Sequence, residues 1–191
     1  MSTEPRSPLV LDTHELSRRP GTMAEVARVV KAPADLGTAV IGIPEGSDLT
    51  VGVRLESVME GVLVTGVVRG TAEGECVRCL EPLSEELTVR VQELFLYPER
   101  ARAAEDMGDD EDEQYVLEED LADLEPAVRD SVVTALPFQP LCRPDCPGLC
   151  SECGARLADD PDHHHDVVDP RWSALQAMLE QSSVTDETKE S

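Results

Sequence analysis

Six cysteines in two groups constrain the fold of this chain more than any other feature of its sequence. The first group is the motif CVRC at 76–79, and the second is the stretch CRPDCPGLCSEC at 142–153. The chain begins MSTEPRSPLV, without a positive region and a following apolar run, so we expect no secretory signal and a cytoplasmic location. No stretch approaches the roughly 18 consecutive apolar residues of a membrane span, so we expect no membrane association. Reduced thiols in the cytoplasm point to metal or redox chemistry before disulfides.

The spacing of these cysteines predicts a zinc-binding protein. Two cysteines separated by two residues can both face one tetrahedral zinc ion. The chain offers this pairing at Cys76 and Cys79 and again at Cys150 and Cys153, where Gly154 follows and tolerates a tight turn. Only five aromatic residues are present, so the core is light and a metal ion would add to its stability.

Spacing alone leaves the ligand sets open. One ion could take Cys142 and Cys146 together with the two cysteines that follow them, as a purely local site. Equally, the CVRC pair could join a downstream pair, and a second ion could take the last two cysteines with two histidines of the HHH run. His163 and His165 would face the same side of an extended segment, although the run could also be an exposed loop with chance metal affinity. We expect one or two zinc ions per chain.

Alternating apolar and polar residues predict β-strands in the first half of the chain. The pattern runs through LTVGVRLESV at 49–58, VLVTGVVRG at 62–70 and LTVRVQELFL at 87–96. No helix intervenes, so the sheet should be antiparallel, and it could curl into a partial barrel. The CVRC motif falls between the second and third of these strands, where a metal-binding turn would lie at the tip of a ribbon.

Helices are expected on either side of the second cysteine group. Apolar residues at spacings of three and four predict a helix over 121–136, with Asp123 as its N-cap and Pro126 in its first turn. A second helix is predicted over 170–180, where a proline follows an aspartate. The predicted fold class is α+β: an antiparallel sheet, flanking helices and a cysteine-rich, zinc-binding C-terminal segment.

We expect a single domain over residues 1–180. Its first part, 1–98, is mainly β and begins with a short strand and a helical turn over 8–17. Residues 99–120 hold eleven acidic and two basic residues, which predicts an acidic mobile loop. The part from 121 to 180 holds the helices and the second cysteine group, and 181–191 should be a disordered tail.

The net charge of −24 bears on the partners. Such a surface repels phosphate backbones, so unassisted binding to nucleic acid is not expected and basic proteins are the more natural partners. The charge could also serve solubility alone. The candidate basic patches for any RNA contact are small: Arg18 with Arg19, and Arg78 with Arg69.

Catalysis has little support in the sequence. The chain has no G-x-S-x-G, H-E-x-x-H, phosphate-loop or dinucleotide-binding motif. A thioredoxin-type C-x-x-C would need a helix that begins at the motif, whereas CVRC precedes a predicted turn and strand. A thiol- or zinc-responsive redox protein is therefore the alternative to a non-catalytic one.

The motifs CVRCLEPLSEEL and VRDSVVTALPFQPLCRPDCPGLCSECGARL, separated by an acidic segment, resemble the YceD family, which is named for large-subunit ribosomal RNA accumulation. The resemblance also covers the opening LDTHELSRRPG. It implies a non-catalytic factor needed for normal levels or processing of that RNA, with a large-subunit ribosomal protein or pre-ribosomal particle as partner. Whether RNA is contacted directly is left open.

The resemblance also implies two ligand sets. Some members keep the C-x-R-C motif and carry a histidine near the position of Cys142, which favours one set of Cys76, Cys79, Cys142 and Cys146. Other members have C-x-C where this chain has histidines, which favours a second set of Cys150, Cys153, His163 and His165. Exchange of cysteine for histidine preserves a good zinc ligand.

Overall fold

The structure of the chain, a computed structural model, describes residues 7–106, 114–165, 170–172 and 178. The chain divides into two compact units, Met1–Cys146 and Pro147–Ser191. The single domain over 1–180 stays a prediction. Among the described residues, no helix is both long and apolar enough to cross a membrane.

The first unit is mostly β-structure. The strands among its described residues are β1 (Val10–Asp12), β2 (Met23–Lys31), β3 (Leu36–Gly37), β4 (Ile41–Ile43), β5 (Asp48–Ser57), β6 (Gly61–Glu75), β7 (Pro82–Leu96), β8 (Tyr115–Val116) and β9 (Leu121–Asp123). Its helices are α1 (Pro98–Asp106) and α2 (Glu125–Ala135), and a 3-10 turn covers His14–Leu16. In the second unit, a 3-10 turn covers Pro170–Trp172.

The long hairpin of β6 and β7 organises the main sheet. The two strands pair antiparallel along all 15 residues of each. On the other edge of β6, β5 pairs with its first part and β4 with its last part, and β2 and β3 lie outside β5 and β4. The predicted antiparallel sheet is confirmed, with one exception in the parallel pairing of β8 with β7. No pairing among the described strands closes the sheet, so the predicted partial barrel is not confirmed.

Alternation along the strands places the core on one face of the sheet. In β5 every second side chain is buried, as predicted, and Leu49, Val51, Val53 and Leu55 are at most 4% exposed. Burial of such aliphatic side chains contributes about 1.5–3 kcal/mol each to the free energy of folding, so the apolar side of β5 stabilises the sheet. Helix α2 covers part of this face with Ala127, Val128 and Val132. The apolar face of the sheet thus holds the β6–β7 hairpin in place.

The predicted helix over 121–136 is wrong for its first four residues. Residues 121–123 form β9, which pairs antiparallel with β1, and α2 begins at Glu125. Asp123 is therefore not the N-cap, although its carboxylate accepts the backbone N–H of Glu125 at 2.9 Å. Pro126 lies in the first turn of the helix, as predicted. Residues 121–123 pair with β1 as a strand, although their apolar spacing also fits a helix.

The predicted acidic loop over 99–120 is wrong at both ends. Residues 98–106 form α1 and residues 115–116 form β8, while 107–113 lie outside the described residues. The predicted helix over 170–180 lies largely outside the described residues, apart from the 3-10 turn at its start and Met178. The predicted tail over 181–191 lies outside them entirely.

Candidate metal centres

The turn at the tip of the β6–β7 hairpin, residues 76–81, is built by two backbone hydrogen bonds. The N–H of Cys76 donates to the carbonyl of Glu81 at 2.8 Å, and the N–H of Leu80 donates to the carbonyl of Cys76 at 2.9 Å. Leu80 adopts a positive φ of 59°. We call this turn the first knuckle; it directs the sulfurs of Cys76 and Cys79 inward, where the residues are 0% and 7% exposed.

The segment after α2 supplies the partners of this knuckle. Helix α2 ends at Ala135, and the chain turns so that the carbonyl of Pro140 accepts the N–H of Val77 at 3.0 Å. This contact brings Cys142 and Cys146 to the hairpin tip. Cys146 is 2% exposed, whereas Cys142 lies at the surface.

These four cysteines form the first cluster. The sulfurs of Cys76 and Cys146 are 3.8 Å apart, and those of Cys79 and Cys142 are 3.6 Å apart. A disulfide would need about 2.05 Å, and all four thiols are free. A zinc ion with Zn–S bonds of about 2.3 Å has tetrahedral S···S edges of about 3.8 Å. These two distances match edges of that tetrahedron, and all four sulfurs lie within 4.8 Å of one another, so the first cluster could hold a metal ion.

The thiols of the first cluster differ in acidity. Burial raises the pKa of Cys76, but backbone N–H groups of Cys142, Arg78 and Cys79 outweigh burial and bring it to about 6. Hydrogen bonding to Cys146, followed by burial, raises the pKa of Cys142 to about 12. Burial, followed by hydrogen bonding to Cys76, raises the pKa of Cys79 above its ordinary value. The cluster thus holds thiolate and protonated thiol together, and a bound divalent cation would displace the protons.

Arg78 ties the two halves of the first cluster together. Its Nη1 donates to the carbonyl of Cys146 at 2.9 Å, from a position between the two cysteines of the first knuckle. Four thiolates around one zinc ion carry a net charge of −2, so a guanidinium beside them would lower the cost of burying that charge. Arg78 also belongs, with Arg69, to one of the small candidate patches for an RNA contact, and its Nη1 is engaged at the first cluster.

A second knuckle, residues 150–155, repeats the backbone of the first. The N–H of Cys150 donates to the carbonyl of Ala155 at 2.7 Å, and the N–H of Gly154 donates to the carbonyl of Cys150 at 2.9 Å. Gly154 occupies the position of Leu80 and has a φ of 73°. The expectation that a glycine here permits a positive φ is confirmed.

The second cluster combines this knuckle with the histidine run. The Nε2 atoms of His163 and His165 are 2.9 Å apart and lie 3.3 Å and 3.2 Å from the sulfur of Cys153. The corresponding edges of a zinc tetrahedron are about 3.3 Å and 3.6 Å, slightly longer. With Cys150, these atoms form a group that could hold a metal ion. His164 turns away and contacts the carbonyl of Asp162 through Nδ1 at 2.9 Å.

Cys150 is the acidic thiol of the second cluster. Backbone N–H groups of Cys153 and Glu152 lower its pKa to about 6 against the effect of burial, and His163 lowers it further. Asp160 lies 3.9 Å from Nδ1 of His163, where a carboxylate can orient a ligating imidazole. A thiolate, a second thiol and two imidazoles are ligands that zinc prefers.

The structure places the eight residues predicted as metal ligands in two separate clusters of four. The grouping is the one that the family resemblance implies. Cys142 and Cys146 group with the CVRC pair rather than with Cys150 and Cys153. That these residues bind metal stays a prediction. Sequence reasoning missed the positioning contact of Arg78, for which the third residue of the C-x-R-C motif was the only available signal.

Comparison with known proteins identifies the family. The family model for the large ribosomal RNA subunit accumulation protein YceD matches residues 64–179. An uncharacterized protein of Mycobacterium tuberculosis is 46% identical over 179 residues, which cover 94% of this chain and 85% of that protein. An uncharacterized protein of Mycobacterium leprae is 40% identical over 173 residues, or 91% of this chain and 78% of that protein. No solved structure matches. The cysteine knuckles therefore belong to a member of the YceD family of large ribosomal RNA subunit accumulation proteins.

Proposed function

We propose that this chain is a non-catalytic cytoplasmic factor that supports the accumulation or processing of large-subunit ribosomal RNA, with zinc ions that stabilise its fold. Family membership suggests a ribosome-associated role, and the match over 64–179 carries the proposal. The two clusters support the role of zinc, because each brings four cysteine or histidine ligand atoms within 4.8 Å of one another.

The ligand number supports a structural role for the metal. Catalytic zinc sites keep one position open for water or substrate, whereas structural sites have four protein ligands. Each cluster offers four ligand atoms within 4.8 Å of one another. An ion held by all four would have no position free for a reacting group.

The proposed partner is a basic protein of the large subunit, alone or within a pre-ribosomal particle. The net charge of −24 would attract such a protein and repel bare RNA. Two of the candidate RNA-binding arginines are also engaged within the chain. Arg18 pairs with Asp120 at 2.8 Å and with Glu99 at 3.3 Å, and Arg78 binds the first cluster.

Elemental analysis tests the role of zinc. Protein purified under reducing conditions should contain two zinc ions per chain. Less than about 0.2 equivalents of any metal would contradict a metal-stabilised fold, because structural zinc binds too tightly to be lost on purification.

Deletion of the gene tests the cellular role. We expect large-subunit ribosomal RNA to fall relative to small-subunit RNA, and the wild-type gene to restore it. A gene with Cys76→Ser should restore the large-subunit RNA only to the extent that the variant protein still folds. An unchanged ratio of the two RNAs in the deletion strain would contradict the proposed function.

One observation favours the alternative, a thiol- or zinc-responsive protein. Cys150 combines a pKa of about 6 with partial exposure, which are the properties of a reactive thiol. Mild oxidant should then form disulfide between Cys150 and Cys153 and release zinc. Unchanged thiol content under such treatment would exclude this alternative.

A further inference from the structure

Phe138 is exposed although aromatic residues are scarce in this chain. Its exposed fraction is 97%, the largest for any large apolar side chain in the described part of the chain, and Met178 follows at 67%. By contrast, Phe95 and Tyr97 are 1% and 6% exposed. A buried phenylalanine contributes about 1.5–3 kcal/mol, and the isolated chain forgoes this contribution at Phe138.

The loop that carries Phe138 is fixed at both ends. On one side, Leu136 is buried and its N–H donates to the carbonyl of Val132 at 3.1 Å. On the other side, Pro140 is buried and its carbonyl accepts the N–H of Val77 in the first knuckle. Prolines at 137 and 140 fix two of the φ angles in between. The ring is therefore presented by a constrained loop, so a partner would bind it at little cost in conformational entropy.

The first knuckle adds further exposed apolar side chains beside this loop. Val77 is 40% exposed and Leu80 is 58% exposed. The backbone bond between Val77 and Pro140 joins the knuckle to the loop. We call Val77, Leu80 and Phe138 the anchor patch. Aromatic side chains are enriched at the energetically dominant centres of protein interfaces.

The charges around the anchor patch indicate what could cover it. Glu73, Glu75 and Glu81 flank the first knuckle, and its one basic residue, Arg78, is hydrogen-bonded to Cys146. Arg143, which follows Cys142, pairs with Asp145 at 3.5 Å. An acidic rim disfavours RNA phosphates. A second copy of this chain would bring another net charge of −24, which disfavours self-association. A positively charged protein fits both the rim and the apolar centre.

We propose that the anchor patch is a docking surface and that the ring of Phe138 inserts into an apolar pocket of a basic large-subunit ribosomal protein. The inference rests on the proposed function and assigns a surface to its partner. The first cluster would then also help to position the ring, because the first knuckle is bonded to one end of the loop that carries Phe138.

Binding measurements on the full-length zinc-loaded protein test this inference. The probes are individually purified basic proteins of the large ribosomal subunit, with deproteinised large-subunit RNA as a separate probe. We expect at least one of these proteins to bind the wild type and Phe138→Ala to weaken that binding at least about tenfold, as for a hot-spot residue. Phe138→Trp should retain most of the affinity. The matched control is Met59→Ala, which alters a 65%-exposed side chain outside the patch and should change affinity less than about twofold.

Several outcomes would overturn the inference. Equal affinities of the wild type and Phe138→Ala would show that the ring is not an anchor. A fall of several degrees in the unfolding temperature of Phe138→Ala would show that the chain itself covers the ring. A loss of RNA binding or of self-association in that variant, with protein binding intact, would assign the ring to a base or to a second copy. Failure of the wild type to bind any protein of the panel would instead contradict the partner in the proposed function.

Discussion

The two clusters share one backbone turn and differ in what that turn connects. In the first cluster, sulfurs 63 and 70 residues apart in the chain come together, whereas the second joins atoms 10 and 12 residues apart. Loop-closure entropy makes the longer connection costlier by only about 1.6 kcal/mol. The clusters also differ in burial, because three residues of the first are at most 7% exposed, whereas two residues of the second are exposed and two are half-buried. The same knuckle thus meets cysteines distant in sequence in one unit and exposed histidines close in sequence in the other.

Removal of one ligand from each cluster should show the largest difference. Cys76→Ser should lose one zinc equivalent and lower the unfolding temperature by roughly 10 °C or more, because structural zinc contributes on the order of 10 kcal/mol to folding in small domains. Proteolysis between residues 142 and 153 should also accelerate. The control, Cys153→Ser, should lose one equivalent with a much smaller change in unfolding temperature. Equal shifts in the two variants would contradict the division into a cross-link and a local site.

Proton release should distinguish the thiols of the first cluster. Cys79, whose pKa is raised above 9.0, and Cys142, whose pKa is about 12, are protonated at pH 7 in the absence of metal. Both must lose a proton when zinc binds, so these two thiols alone should raise the zinc affinity by at least about a hundredfold per pH unit near pH 7. Cys76, with a pKa of about 6, adds a further proton only below that pH. Zinc titrations of Cys153→Ser at several pH values measure this dependence, and a flat profile would contradict it.

A chelator should remove the two ions at different rates. The second cluster has two exposed ligands, Cys153 and His165, whereas the first has one, Cys142, and its other three cysteines are buried. Removal of an ion from the first cluster should therefore require more local opening of the chain. We expect release in two phases separated by about tenfold or more, with the fast phase absent in Cys153→Ser. A single phase in the wild-type protein would show that burial does not control exchange.

Loss of the Arg78 side chain should weaken the first cluster alone. Outer contacts of this kind typically change metal affinity by about 10–100-fold, and we expect roughly tenfold for Arg78→Met. The second cluster should be unaffected, and so should both clusters in the control Arg69→Met, which alters an exposed arginine of β6. Competition with a coloured zinc indicator measures both. Equal affinity of Arg78→Met and wild type would show that the bond to Cys146 is incidental.

The residue after the second cysteine of each knuckle, Leu80 or Gly154, allows a comparison of smaller expected effects. An added Cβ at Gly154 would meet open space, so Gly154→Ala tests only the positive φ and should weaken the second cluster by about 1 kcal/mol. Gly46→Ala is the matched control, since Gly46 has a φ of 77° and equally open surroundings. It should leave zinc affinity unchanged. Leu80→Gly should not weaken the first cluster, because it relieves the strained φ there; a loss like that of Gly154→Ala would contradict this account.

The sequence predicted several strands correctly, but it did not predict which segments those strands contact. Alternation identified β5, β6 and β7, because a sheet with one buried face imposes a period of two. It did not identify β2, where the half-buried side of the strand includes Arg28, whose guanidinium donates to the carbonyls of Pro8 and Val10. That polar residue interrupts the apolar series for a reason that lies in β1. The helix predicted from residue 121 began too early for a similar reason, since pairing with β1 claimed residues 121–123.

Spacing also could not assign the ligands. Cys142 and Cys146 lie closer in sequence to Cys150 than to the CVRC motif, so a local site was an equal alternative. The bond from Val77 to Pro140 decides between them, and it depends on where α2 packs. A short motif predicts a local turn, whereas the pairing of two cysteine motifs depends on the tertiary packing of distant segments.

The cysteines of the first cluster are synthesised at different times because they lie far apart in the sequence. Cys76 and Cys79 leave the ribosome 63 or more residues ahead of Cys142 and Cys146. At synthesis rates of about 5–20 residues per second, they wait roughly 3–13 s for the thiols that complete their coordination shell. During that interval, a nascent hairpin carries two reduced cysteines with an incomplete set of ligands. If zinc joins these ligands as proposed, we expect both translation speed and the local supply of zinc to affect the yield of correctly assembled protein.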